Sequence, residues 1–230
     1  MMNTTIGTLI RGVVFDMDGL MFDTETLAID GWISAGREFG WPMTSAMVIN
    51  TIGISRPDTE KYLQETLGPG FDYARLSQAM EDYMDAHVAE YGVPLKPGLL
   101  DLLTYLKDNG FLLAVASSSP IDHIHHLLER AEVGHFFSAV ISADMVTNGK
   151  PAPDIYQAAC SALELDPSQC LALEDSLAGI RSAHAAGLRP IMIPDLIPPD
   201  ESVAELVFAQ YQQLNEVISG LEALAATEIV

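Results

Sequence analysis

The chain has 230 residues, enough for one large domain or one domain with an insert, and its 49% hydrophobic and 19% charged content excludes a disordered chain. Its 11 Lys and Arg face 32 Asp and Glu, a formal net charge of −21, which excludes nucleic acid and anionic membrane as main partners because both need clustered basic residues. It holds only Cys160 and Cys170, no run of about 18 apolar residues, and a short N-terminal apolar stretch broken by Arg11, so a cytoplasmic protein without disulfides, membrane span or signal peptide is expected.

The first element predicted is an apolar strand at Gly12–Asp16. It runs into Asp16-Met17-Asp18-Gly19. In extended backbone, residues i and i+2 point to the same side, so both carboxylates face one spot. That spot lies at the carboxyl end of a strand, where open α/β sheets place their ligands. Such a pair suits a nucleophile and a proton carrier, or the start of a metal site. The plainer alternative is a strand-to-turn junction, since Asp-Gly is a common turn pair.

From Phe22 to Tyr91 no strand pattern occurs. Helical spacing appears at Ile29, Trp32, Ile33 and Phe39, again at Tyr62, Leu63 and Leu67 after Pro57, and from Leu76 through Met80, Tyr83, Met84 and His87 to Tyr91. Gly92 ends the last of these. About 70 residues of helix inserted after the first strand imply a small second domain. Beyond it, strands are predicted at Leu112–Ser117, Ala139–Ser142, Cys170–Glu174 and Arg189–Ile193, with a shorter one near Leu206–Phe208. Helices fit between them: one opened by Pro97 and Gly98, then about Asp122–Arg130, Asp154–Leu163 and Ser176–Ala186, the last capped by Gly187. A proline-rich surface loop at Pro194–Glu201 precedes a C-terminal helix. The alternation implies an α/β fold with a parallel sheet and helices on both faces.

The later strands end in polar signals: Ser117-Ser118-Ser119-Pro120, then Asn148-Gly149-Lys150-Pro151-Ala152-Pro153-Asp154, then Glu174-Asp175-Ser176. A doubly wound sheet sets these ends beside Asp16 and Asp18. Four carboxylates and one lysine leave a formal charge near minus three, which would repel itself and raise some of its own pKa values. A hard divalent cation resolves this, and Mg²⁺ is the expected one. Serine hydroxyl, ammonium and Mg²⁺ together are what holds a phosphoryl group. His123, His125 and His126 share one helix but lack companion ligands, and read as a solvated face.

With these motifs in order, Phe15-Asp16-Met17-Asp18-Gly19-Leu20 continuing to Asp23-Thr24-Glu25, Ala116–Ser119, Gly149–Asp154 and Leu173–Ile180, the chain resembles the haloacid dehalogenase (HAD) superfamily, in its β-phosphoglucomutase-like branch. The likeness covers almost the whole length. It implies a Rossmann-like catalytic core at 1–21 and 93–230 and a helical cap at 22–92. It implies Asp16 as nucleophile, Asp18 as general acid and base, Ser117 on a phosphoryl oxygen, and Lys150 neutralising Asp16 and the phosphoryl group. Asp16, Asp18, Glu174 and Asp175 would form the Mg²⁺ site, Asp18 through its carbonyl and Glu174 directly or through water. In the cap, Gly53-Ile54-Ser55-Arg56 resembles the branch's substrate-specificity loop, so Arg56 joins Ser117, Ser118 and Lys150 as an expected substrate contact.

The expected activity is Mg²⁺-dependent hydrolysis of a small phosphate monoester, a sugar or sugar-alcohol phosphate, through an aspartyl-phosphate. The partner would be a small phosphorylated metabolite, and a monomer is expected. A dehalogenase does not need Asp18. A phosphonate hydrolase of the superfamily uses a lysine early in the cap, and Met21 to Phe39 contain none. The alternative is a β-phosphoglucomutase-type phosphosugar mutase. That enzyme carries a histidine in the first cap helix, whereas no histidine lies between Phe22 and Asp82 here, which favours water as the acceptor.

Overall fold

Gly12–Phe15 (β1), the first apolar run, is fully buried and takes the centre of a sheet in the computed structural model. The structure describes residues 10–52, 56–198 and 200–227. Gly53, Ile54 and Ser55 of the expected specificity loop, Pro199 of the proline-rich loop and the N-terminal stretch before Ile10 lie outside the described residues. The chain divides into two compact units. One comprises the chain up to Phe22 together with the chain from Leu95 onward, and the other is Asp23–Pro94.

Among the described residues, the larger unit holds six parallel strands in the order β3-β2-β1-β4-β5-β6. Here β2 is Leu112–Ser117, β3 Ala139–Ser142, β4 Cys170–Glu174, β5 Arg189–Met192 and β6 Ala209–Gln210. Runs apolar on both faces suit strands covered from both sides. On one face Val14, Ala114 and Ala172 pack against Tyr156, Ala159, Cys160 and Ala183. These belong to α7 (Asp154–Ala162) and α8 (Leu177–Ala186). The core also carries α5 (Leu99–Asp108), α6 (Ile121–Arg130) and α9 (Glu216–Thr227). His123, His125 and His126 are exposed on α6, as expected of a solvated face. No helix among the described residues is long and apolar enough to cross a membrane.

The smaller unit is helical: α1 (Thr24–Phe39), α2 (Ser45–Ile49), α3 (Arg56–Leu67) and α4 (Tyr73–Tyr91). Gly40 ends α1 in the left-handed region, at φ 76°. Gly31 lets α1 and α4 approach closely, because a β-carbon there would lie 3.0 Å from Met80 Cγ. Trp32 and Tyr73 fill the same seam, with ring centroids 5.7 Å apart.

Three details differ from the sequence expectation. The last strand lies at Ala209–Gln210, not Leu206–Phe208. Leu206 and Val207 instead pack on the cluster of Ile180, Met192 and Val203, and pairing begins only where the Phe208 amide donates to the Pro190 carbonyl, 2.7 Å away. The short helix α2 carried too little periodicity to be read; its Thr44 cap accepts from the Met47 amide at 3.3 Å. The loop after β5 is not all surface, since the Asp195 side chain is only 9% exposed.

Candidate active site

The sheet register sets the site. Phe15 pairs with Val115 on one side and Leu173 on the other, so Asp16 follows β1 beside Glu174 at the end of β4. The Asp16 amide donates to the Leu173 carbonyl at 3.0 Å, and the Glu174 carbonyl accepts from Ile193 at 2.8 Å. After Asp16 the chain turns at once. Gly19 takes φ 82°, and its amide donates to the Phe22 carbonyl at 3.0 Å. Glycine is required there for space as well: a β-carbon would collide with the Asp175 carboxylate.

Lys150 arrives from the loop between β3 and α7. Its ammonium, with a side chain only 6% exposed, donates to Asp16 Oδ1 at 2.5 Å and Glu174 Oε1 at 2.6 Å. Glu174 is wholly buried. Its Oε1 also accepts from the Tyr156 hydroxyl at 2.5 Å. Its Oε2 accepts from the Ser176 hydroxyl at 3.0 Å and the Ser176 amide at 3.3 Å. A β-carbon on Gly179, one turn into α8, would overlap this carboxylate. Glu174 is thus seated over the first turn of α8, whose Ser176 cap accepts from the Gly179 amide at 3.0 Å.

Electrostatics follow from three acids sharing one base. Burial pushes the Asp16 carboxyl up to about 7 against the pull of the Lys150 ammonium, and the Glu174 charge adds to the rise. Burial and then the charges of Asp16 and Glu174 push Asp175 well above the carboxylate range. Burial works against the Lys150 charge, but Asp16 and Glu174 outweigh it and hold the ammonium protonated. Burial and the Glu174 charge keep the Tyr156 hydroxyl protonated, hence a donor. Asp16, Glu174 and Asp175 each bring a carboxylate oxygen within 4.8 Å of the others. Oxygen donors with excess negative charge, buried together, fit a hard divalent cation.

Around this centre, Ser117 is fully buried at the end of β2 and its Oγ accepts from the Ser119 amide at 3.0 Å. The Ser119 hydroxyl donates to Asp18 Oδ2 at 2.8 Å, and Ser142 Oγ donates to the Ser119 carbonyl at 2.8 Å. Ser118 is exposed. The structure therefore brings Asp16, Asp18, Lys150, Glu174 and Asp175 to one end of the sheet, with Ser117 and Ser119 at the neighbouring strand end. Sequence reasoning missed Tyr156, Ser119 and Ser176 as parts of this network. Arg56 lies in the helical unit, where its guanidinium donates to Ser77 Oγ at 3.3 Å, stands 3.8 Å from Glu81 Oε1 and lies 5.9 Å from the Tyr73 ring centroid.

A family model for haloacid dehalogenase-like hydrolases matches residues 13–193. The chain belongs to that family. Protein CbbY of Cereibacter sphaeroides is 31% identical to this haloacid dehalogenase-like hydrolase over 231 residues, 96% of this chain and 98% of that protein. Hexitol phosphatase B of Escherichia coli (strain K12) is 28% identical over 236 residues, 96% of this chain and 97% of the relative. A crystal structure of mutant CbbY from Rhodobacter sphaeroides in complex with xylulose-(1,5)bisphosphate superposes with a TM-score of 0.73 at 27% identity, covering 93% of this chain and 99% of that one.

Proposed function

We propose that this haloacid dehalogenase-like phosphoric monoester hydrolase is a Mg²⁺-dependent phosphatase that cleaves a small sugar or sugar-alcohol phosphate through an aspartyl-phosphate on Asp16. The observation that carries the reading is the Lys150 ammonium held between Asp16 and Glu174, with Asp175 in the same buried cluster. Lys150 orients Asp16 and offsets the charge that gathers when its carboxylate meets an anionic phosphoryl group. Asp16 attacks phosphorus, and the bond to the leaving oxygen breaks. Asp18, steadied by Ser119, protonates that oxygen and then takes a proton from the water that hydrolyses the aspartyl-phosphate. Ser117 donates its hydroxyl hydrogen to a phosphoryl oxygen. Asp16, Asp175 and the Asp18 carbonyl would hold the metal. Glu174, whose oxygens already accept from Lys150, Tyr156 and Ser176, would reach it through water. Bound there, Mg²⁺ supplies positive charge to the phosphoryl oxygens. Lys150, Ser118 and Arg56 contact the substrate.

Named relatives support the substrate class: one is a hexitol phosphatase and another crystallised with a bisphosphorylated sugar. The absence of histidine between Phe22 and Asp82 supports hydrolysis over a mutase. The reading also includes a cytoplasmic monomer, and Cys160 and Cys170 are buried free thiols, which suits a reducing compartment.

The test is phosphate release across a panel of sugar and sugar-alcohol phosphates. Turnover should vanish with chelator, return with Mg²⁺, and fall by orders of magnitude in Asp16→Asn. Full activity in excess chelator overturns the metal assignment, and a tenth of wild-type activity in Asp16→Asn overturns the covalent route.

A further inference from the structure

Asp195 follows β5, in the loop that the sequence presents as surface. Its side chain is only 9% exposed, and its Oδ1 accepts from the Lys96 ammonium at 2.5 Å. Its Oδ2 is buried and has no hydrogen-bond partner among the described residues. A buried carboxylate oxygen without a donor is costly to leave unpaired. Lys96 is occupied by the other oxygen and does not meet that need.

The position of the orphan oxygen matters. A β-carbon on Gly19 would collide with Asp175 Oδ2 and lie 3.3 Å from Asp195 Oδ2. The two carboxylates therefore crowd the same side of the backbone that follows Asp16 and Asp18. Asp175 belongs to the acidic cluster, and Asp195 stands next to it with an acceptor to spare. A hard cation such as Mg²⁺ dehydrates reluctantly and keeps several waters. Those waters are strong donors, and outer carboxylates that accept from them orient the site and raise its affinity.

We infer that Asp195 Oδ2 accepts a hydrogen bond from a water of the metal's hydration shell, with Lys96 holding Oδ1 and so fixing how the carboxylate is turned. Asp195 is then a positioning residue, and the Lys96–Asp195 pair is part of the metal centre. The inference rests on the metal reading proposed above, and the experiment separates the two.

The experiment is calorimetric titration of Mn²⁺ or Mg²⁺ into the full chain without substrate. Wild type, Asp195→Asn, Lys96→Met and the double variant Lys96→Met/Asp195→Leu are compared, with folding checked by circular dichroism. Asp195→Asn should bind metal roughly tenfold more weakly or worse. Lys96→Met should bind metal more weakly than wild type but better than Asp195→Asn, because the carboxylate stays and only the ammonium that fixes its turn is gone. The double variant replaces the pair by apolar groups of similar size, which buried ion pairs tolerate. It should show the same loss as Asp195→Asn, and it serves if the single variant does not fold. Wild-type affinity in Asp195→Asn or in the double variant reduces Asp195 to a partner of Lys96 and overturns the inference. Absence of metal binding by wild type overturns the metal reading and the inference with it.

Discussion

Tyr156→Phe isolates one bond in the buried network. The tyrosine is wholly buried in α7, among Ile155, Ala159 and Cys160. Its hydroxyl donates to Glu174 Oε1 at 2.5 Å. Phenylalanine keeps the ring and its packing and removes only that donor. Because Glu174 is wholly buried, no bulk water reaches the acceptor. Hydrogen bonds to charged groups contribute roughly 1.5–3 kcal/mol, so urea denaturation should show a loss of that size with an unchanged m-value. For a chain of this size each kcal/mol moves Tm by about 2–4 °C, which predicts a fall of about 3–12 °C. The same substitution made beside Glu174→Gln meets a neutral acceptor, where the bond contributes roughly 0.5–1.5 kcal/mol, so the double-mutant cycle should leave about 1 kcal/mol of coupling. A loss below about 0.5 kcal/mol, on the scale of ordinary surface substitutions, would show that the hydroxyl is not holding the carboxylate. Equal losses in both backgrounds would show that the charge on Glu174 is not what it serves.

Gly179→Ala should be among the most damaging small substitutions in the chain, since the added methyl overlaps the Glu174 carboxylate. A stability loss of about 3 kcal/mol or more is expected, and a denaturation midpoint near wild type would contradict the seating of Glu174 over α8. Arg56→Ala should lower kcat/KM about ten- to hundredfold on the preferred sugar phosphate, as for loss of a charged contact, and spare p-nitrophenyl phosphate. Equal losses on both substrates would assign Arg56 to its bonds with Ser77 and Glu81 within the helical unit.

The strands that bracket the site were legible because each is an apolar run buried on both faces, and a parallel sheet leaves no other reading for such runs spaced by helices. What resisted lies where periodicity is too short to register. Ala209–Gln210 is two residues long and joins the sheet by pairing with Ile191 and Met192. The five-residue α2 depends on one threonine cap. The long helices α1 and α4 declare themselves through apolar spacing and terminal glycines. Asp195 was masked by its neighbours: Pro194 and Pro198 mark a loop, and nothing local in sequence tells a loop aspartate that it faces a lysine 99 positions earlier.

The site divides along the same line. Asp16, Asp18, Glu174 and Asp175 each sit in a polar break after an apolar run, and Lys150 sits just before the prolines Pro151 and Pro153, so their types and spacing are what the sequence displays. Tyr156, in contrast, lies on the apolar stripe of α7 and reads as core. Its only signal is that a buried tyrosine hydroxyl must find a partner. Two positions speak through what they lack. At Gly19 and Gly179 a β-carbon would occupy the space taken by the Asp175 and Glu174 carboxylates. In sequence these glycines are a turn residue and a weak point in a helix. In the fold they are where acidic groups come against backbone, so the charge cluster is specified as much by two missing side chains as by the carboxylates themselves.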